Sequence, residues 1–146
     1  MGAYLADDRK WSGNFVTLNI ERWYMEKKIK IRDISKAFAL RIIRLCKFML
    51  DKYHNDIIVP ILIKQVLRSG TSIAANITES KNAQSKNDFI NKLNIALKEA
   101  DETSLWLELL HESDYLSDSE FDSIYDDNQK IVATLINIIK NSKKDG

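Results

Sequence analysis

Little in this 146-residue sequence bends or cross-links the chain. It contains four glycines and one proline. Turns must therefore be few and the elements between them long, which favours helices over a many-stranded sheet. The single cysteine, Cys46, excludes an internal disulfide. It lies among apolar residues in "RIIRLCKFMLDKY", where a buried, inert thiol in a reducing cytoplasm is expected. No apolar run approaches the ~18 residues of a membrane span. The N-terminus has no basic region followed by an apolar secretory core. A soluble, cytoplasmic protein without membrane association is expected.

Catalytic signatures are equally scarce. His54 sits in a polar turn and His111 at a helix end, positions that suit solvation or capping of C-terminal carbonyls. No His-Glu-x-x-His, Cys-x-x-Cys or Glu-x-x-His motif is present, so no metal site is expected. No glycine-rich phosphate loop occurs. The acidic run "DSEFDSIYDD" lacks the glycine and ligand spacing of a calcium loop. An arginine followed by a suitably spaced histidine, the hallmark of small helical ribonucleases, is also missing. The expectation is a protein without catalytic residues, metal or cofactor.

What the chain does contain is ordinary soluble composition, 45% apolar and 29% charged, and length enough for one sizeable core. Its net charge of +1 conceals an asymmetry. Met25 to Arg68 holds eleven Lys/Arg against four Asp/Glu, whereas Ser69 to Gly146 holds eight against fourteen. The plain reading is attraction between neighbouring helices or subunits. The sharper reading is a basic face for nucleic acid.

Residues 1–24 mix glycine, aromatics and balanced charge, with at best a short alternating piece, "NFVTLNI". Met25 then opens "MEKKIKIRD", and the codons for Glu21-Arg22-Trp23 can spell a purine-rich ribosome-binding sequence just ahead of it. The expected division is a leader or extension at 1–24 and one helical domain at 25–146. Full-length protein carrying residues 1–24 in native cells would exclude a translation start at Met25.

From Asp33, an expected N-cap, apolar residues recur every three or four positions: Ile34, Phe38, Ile42, Leu45, Met49 and Tyr53. Pro60 suits the first turn of a second helix, with Leu62, Val66, Ser69, Ile73 and Ile77 inward. Ser85 and Asp88 form a weak capping box before the third helix. There Phe89, Leu93, Ala96, Ala100, Thr103, Leu107 and Leu110 make a coiled-coil-like seam. Ser117 and Glu120 form a full capping box. The fourth helix carries Phe121, Ile124, Asn128, Ile131, Leu135 and Ile138. Four long helices with short connections predict an all-α, up-down-up-down antiparallel four-helix bundle.

The run Ser69-Gly70-Thr71-Ser72 gives up roughly 2 kcal/mol of helix preference, which tertiary contact must offset. Small residues at Ser69, Gly70, Ala74 and Ala75 let a neighbouring helix approach closely. Arg68, Ser72, Asn76 and Glu79 form a polar stripe suited to contacts between helices or subunits. Trp106 adjoins the third seam, to cover a flank or fill a subunit interface. Ile43, Leu97 and Ile139, with Trp106, are expected outside the inner seams.

These residues also carry a resemblance. "QVLRSGTSIAANITES", followed by "SKNDFINKLNIALKEADETSLWLELL", resembles the "four helix bundle protein" family. That family includes proteins encoded in intervening sequences of bacterial 23S rRNA genes and the accessory variability proteins of diversity-generating retroelements. The resemblance implies a bundle that assembles into homopentamers, sometimes with a basic surface associated with nucleic acid, and no established enzymatic activity. The first helix departs from the family's commonest pattern, with "IRDISKAF" where an aromatic is usual near the start. Ser80 stands where glycine is frequent.

The nucleic-acid candidates are Lys27, Lys28, Lys30, Arg32, Lys36, Arg41, Arg44 and Lys47, with Lys64 and Arg68 on the second helix. Their contacts would be sequence-independent and salt-sensitive. No aromatic–basic interleaving suggests base stacking. Two functions are consistent with these residues: a homo-oligomeric scaffold that binds RNA, DNA or a nucleic-acid enzyme such as a reverse transcriptase, and a purely structural or protein-interaction module.

Overall fold

A computed structural model describes residues 15–144, with side chains from residue 30 onward. Four helices account for it: α1 (Phe15–Lys52), α2 (Val59–Ser80), α3 (Lys86–Glu112) and α4 (Asp118–Lys144). Each packs on its neighbours in sequence, and α4 closes the ring against α1 along the thinnest seam. Cross-helix pairs fix the antiparallel register. Cys46 lies against the Ile63 carbonyl, Ser69 against Thr103, and Asn128 against Ala100 and Ser104. The chain is an up-down-up-down four-helix bundle. Among the described residues no helix is long and apolar enough to cross a membrane.

The seams of α3 and α4 follow the heptad spacing closely. All seven seam residues of α3 are buried, as are Ile124, Asn128, Ile131, Leu135 and Ile138 of α4. Phe121 is half-buried and stacks between His111 and Tyr125. Both helices also bury or half-bury residues outside that spacing, because each packs on two neighbours and needs a stripe wider than a two-position seam. Ile139 is therefore inside, and Leu97 and Trp106 pack against the core; of the four apolar residues expected outside, only Ile43 is exposed.

The first helix differs from its expected form. It runs for 38 residues against 27 in α3 and α4, and passes through Met25 and Asp33 without interruption. Asp33 therefore lies mid-helix and caps nothing. Phe15 to Ile20, the alternating piece, is helical. The buried stripe includes Ile31, Ser35, Phe38, Ile42, Cys46 and Met49, leaving Ile34 40% exposed one position round. Ser35 tolerates burial because its hydroxyl donates to the Arg32 carbonyl at 2.9 Å. Cys46 is buried, and burial pushes its thiol up to about 11, so it is un-ionised at neutral pH.

Helix α2 accepts its poor helix formers because of α1. A Cβ at Gly70 would lie 2.9 Å from both Cγ1 and Cγ2 of Ile42, closer than carbon atoms pack. Only hydrogen at residue 70 lets α2 approach Ile42 this closely. On the other edge, the buried hydroxyls of Ser69 and Thr103 bond at 2.9 Å. Ser80, also buried, returns its hydroxyl to the Ile77 carbonyl at 2.6 Å.

Caps and loops set the helix lengths. Ser117 accepts from the Glu120 amide at 3.2 Å while Glu120 accepts from the Ser117 amide at 2.9 Å, a reciprocal box. Ser85 accepts from the Asp88 amide, and Asp88 reaches back to the Gln84 amide. At the start of α2, the Asp56 carboxylate accepts from the amides of Ile58 and Val59 at 2.7 and 3.0 Å. Its second oxygen accepts from the Tyr115 hydroxyl at 3.0 Å, and Tyr53 donates to the Tyr115 carbonyl with the rings edge-to-face. The α1–α2 and α3–α4 loops are thus latched at one end of the bundle.

Two outcomes test this packing. Gly70→Ala should gain helix preference locally yet lower stability by roughly 1–2 kcal/mol, because overpacking outweighs propensity. In a urea-denaturation cycle, Ile42→Ala should cost less in the Gly70→Ala background than alone; a simple stabilisation by Gly70→Ala would reject the contact. The Val59 amide, chiefly, holds the Asp56 carboxyl below its ordinary value. Its contribution is present above the unfolded carboxyl's pKa and lost as pH falls through the lower folded value. The stability deficit of Asp56→Ala should accordingly narrow in acid, read as urea midpoints at neutral and acidic pH.

Candidate nucleic-acid interface

From residue 30 onward α1 is buried along one stripe, so most of its basic residues there face outward. Lys30, Arg32, Lys36, Arg44 and Lys47 are exposed, as is Lys64 on α2. Among the described residues none of these six enters an ion pair. The side chains of Lys27 and Lys28 lie outside the described residues.

Arg41 and Arg68 are placed differently. Arg41 crosses to α4, where its guanidinium pairs with Asp127 and donates to the Ser123 hydroxyl at 2.7 Å and carbonyl at 3.2 Å. Arg68 reaches α3, pairing with Glu99 at 3.3 Å and with Glu102. The bond to Glu102 is the main cause that raises the Arg68 guanidinium and lowers the Glu102 carboxyl, which also accepts from the Trp106 indole at 3.1 Å. Phosphate at either arginine must compete with a carboxylate already there. Glu79 pairs with Lys92 of α3 at 2.8 Å. Part of the charge asymmetry along the chain is therefore neutralised between helices of one bundle.

The packing candidates separate in the same way. Ser69 and Gly70 are buried against α3 and α1 respectively. Ser72 and Asn76 bond within their own helix, to the carbonyls of Arg68 and Ser72, and among the described residues not across helices. The reason is geometric: each side chain finds a free carbonyl lone pair one turn back, at 2.6 and 2.8 Å. Ala74 is half-buried, and Trp106 packs half-buried against the core.

Two open grooves flank α1. One, of about 370 Å³ against α2, is lined by Arg32, Lys36, Ala74, Ala75, Thr78 and Glu79. The other, of about 410 Å³ against α4, is lined by Arg41, Arg44, Leu45, Phe48, Glu120, Ser123 and Ile124. Four of the predicted cations therefore divide between the two grooves, Arg32 and Lys36 in one and Arg41 and Arg44 in the other. Residues spaced i, i+4 and i+8 share one edge of a helix, and that spacing aligns Arg44, Phe48 and Lys52, an aromatic between two cations that the sequence pattern held but its reading passed over. Lys52 Nζ stands 5.6 Å from the Phe48 ring centre and 5.2 Å from that of Tyr53. Among the described residues no cluster of three His, Cys, Asp or Glu side chains has the geometry to hold a metal ion.

A family model described as "23S rRNA-intervening sequence protein" matches residues 27–137. The chain belongs to the 23S rRNA-intervening sequence protein family. The matched span starts within α1 and ends within α4, so the family's shared part is the bundle itself. A crystal structure of a protein of unknown function from the S23 ribosomal protein family of Bacteroides thetaiotaomicron is similar, with 49% identity and a TM-score of 0.73. The alignment covers 78% of this chain and 98% of that one. No curated protein matches.

The Arg68 contacts join a half-exposed arginine to partly covered carboxylates at the surface, where ion pairs contribute at most about 1 kcal/mol. Arg68→Gln should lower stability by no more than this, and added salt should shrink the difference. A larger, salt-independent loss would place the arginine's contribution in its packing.

Proposed function

We propose that this member of the 23S rRNA-intervening sequence protein family is a non-enzymatic, homo-oligomeric, cytoplasmic scaffold that binds nucleic acid through the outer face of α1, with Lys64 of α2. The observation that carries the reading is the set of exposed cations at Lys30, Arg32, Lys36, Arg44, Lys47 and Lys64, which no acidic group of the described chain neutralises. Phosphate is a fitting counter-charge, and a symmetric ring would repeat the array around its axis. The family resemblance adds the pentamer as the expected ring. It also adds a reverse transcriptase as a candidate enzyme partner, the role of accessory proteins in diversity-generating retroelements.

A second reading, a purely structural or protein-interaction module, draws on a different observation. Leu40, Ile43, Leu50 and Leu67 are each more than a third exposed on α1 and α2. An apolar interface and a phosphate-binding face differ sharply in their response to salt.

The test is nucleic-acid affinity across a salt series, with native mass spectrometry of protein purified without nuclease. Replacing Lys36, Arg44 and Lys47 together with glutamine should reduce the slope of log affinity against log salt by roughly 2–3, one phosphate contact each. A pentamer retaining nucleic acid supports the scaffold. Failure of the wild-type protein to bind any nucleic acid removes it in favour of the structural module.

A further inference from the structure

The groove between α1 and α4 has a chemistry that a generic basic face does not. Its α1 wall carries Arg41, Arg44 and Phe48, and its α4 wall carries Glu120, Ser123 and Ile124. Phe48 is 47% exposed, with Lys52 Nζ over its ring at 5.6 Å from the centre and Arg44 one turn back on the same edge. Of the acidic groups nearby, Asp127 is paired with Arg41, while Glu120 accepts from the Ser117 amide and draws on Lys52 electrostatically, so a bound phosphate must displace that attraction. Arg44 remains free of any ion pair among the described residues. At about 410 Å³ the groove falls within the ~300–1,000 Å³ of small-ligand seats. The groove on the other side of α1 has cations but no aromatic residue in its lining, and its Glu79 is committed to Lys92.

A half-exposed aromatic ring with cations beside it is the arrangement on which an unpaired base stacks while its phosphates are held alongside. A duplex buries its bases' faces and cannot use the ring. Resting on the nucleic-acid reading above, we infer that the α1–α4 groove is a seat for single-stranded nucleic acid, with one base on Phe48 and the flanking phosphates at Arg44 and Lys52. The Arg41 guanidinium, held by Asp127 and Ser123, forms the fixed end of the seat.

The experiment compares the full-length protein's affinity for a short fluorescein-labelled single-stranded RNA of mixed sequence, the same sequence as DNA, and the corresponding duplex. Phe48 is half exposed, so Phe48→Leu keeps an apolar group there without opening the core. It should weaken single-strand binding roughly tenfold or more while leaving the salt slope and duplex binding unchanged. Arg44→Gln should instead lower the single-strand salt slope by about 0.7, the value of one contact. Phe48→Trp should retain binding, and Lys98→Gln, a charge change on α3, should leave it unchanged. A preference for the RNA or the DNA strand supports the seat in either case and identifies which source occupies it. If the wild-type protein binds with a clear salt slope but Phe48→Leu binds single strands as wild type does, the seat is overturned and the α1 face stands. If the wild-type protein binds none of the three, both readings fall together.

Discussion

The close approach of α2 to α1 at Gly70 is the constraint on which the bundle depends. Ile42 fills the space a side chain at residue 70 would need, so the two backbones come nearer than bulkier residues would permit. On one edge of α2, Ala74 and Ala75 line an open groove together with Arg32 and Lys36 of α1. On the other edge Ser69 meets Thr103. The helix-breaking tendency of Ser-Gly-Thr-Ser is offset by tertiary packing, and the hydroxyls that would compete with the backbone satisfy themselves one turn back on it.

Polar contacts order the remaining seams. Between α3 and α4, the buried Asn128 amide donates to the Ala100 carbonyl and the Ser104 hydroxyl, both at 2.8 Å, and Gln129 adds a further bond to Ser104. A buried amide with directional partners suits one register and penalises a slipped one. Between α2 and α3, and between α1 and α4, ion pairs join the edges in solvent-exposed form. Because these pairs draw on the most evident cations, Arg41 and Arg68, the charges left for an external partner are fewer and lie elsewhere than a count of residues suggests. They lie on α1's outward face and in the grooves that flank it, with Lys64 on α2.

Much of this was legible beforehand. The seams of α3 and α4, both capping boxes, the buried cysteine and the number of long helices arise from periodicity and short-range chemistry, which act within a turn or two. The start of α1 was not legible, since nothing in residues 15–32 breaks a helix and Asp33 mimics a cap. Nor was the phase of its buried stripe, where Ser35 displaces Ile34. The loop latch of Tyr53, Asp56 and Tyr115 joins groups about sixty residues apart, and no local pattern signals it. The Arg44–Phe48–Lys52 edge was present in the spacing, but its meaning depends on the open groove that α4 forms beside it.

By itself the sequence determined the bundle, its helix count and the faces that α3 and α4 bury, because apolar spacing of three and four residues admits no other element. It also placed this chain in its family through the Arg-Ser-Gly-Thr-Ser run of α2 and the seam of α3. Only the tertiary structure decided which cations stay free, that Gly70 meets Ile42, and that an aromatic ring is left half-exposed with positive charges beside it. Those outcomes rest on distances between separate helices, and an ion pair or a clash is settled by such distances and not by the order of residues along the chain.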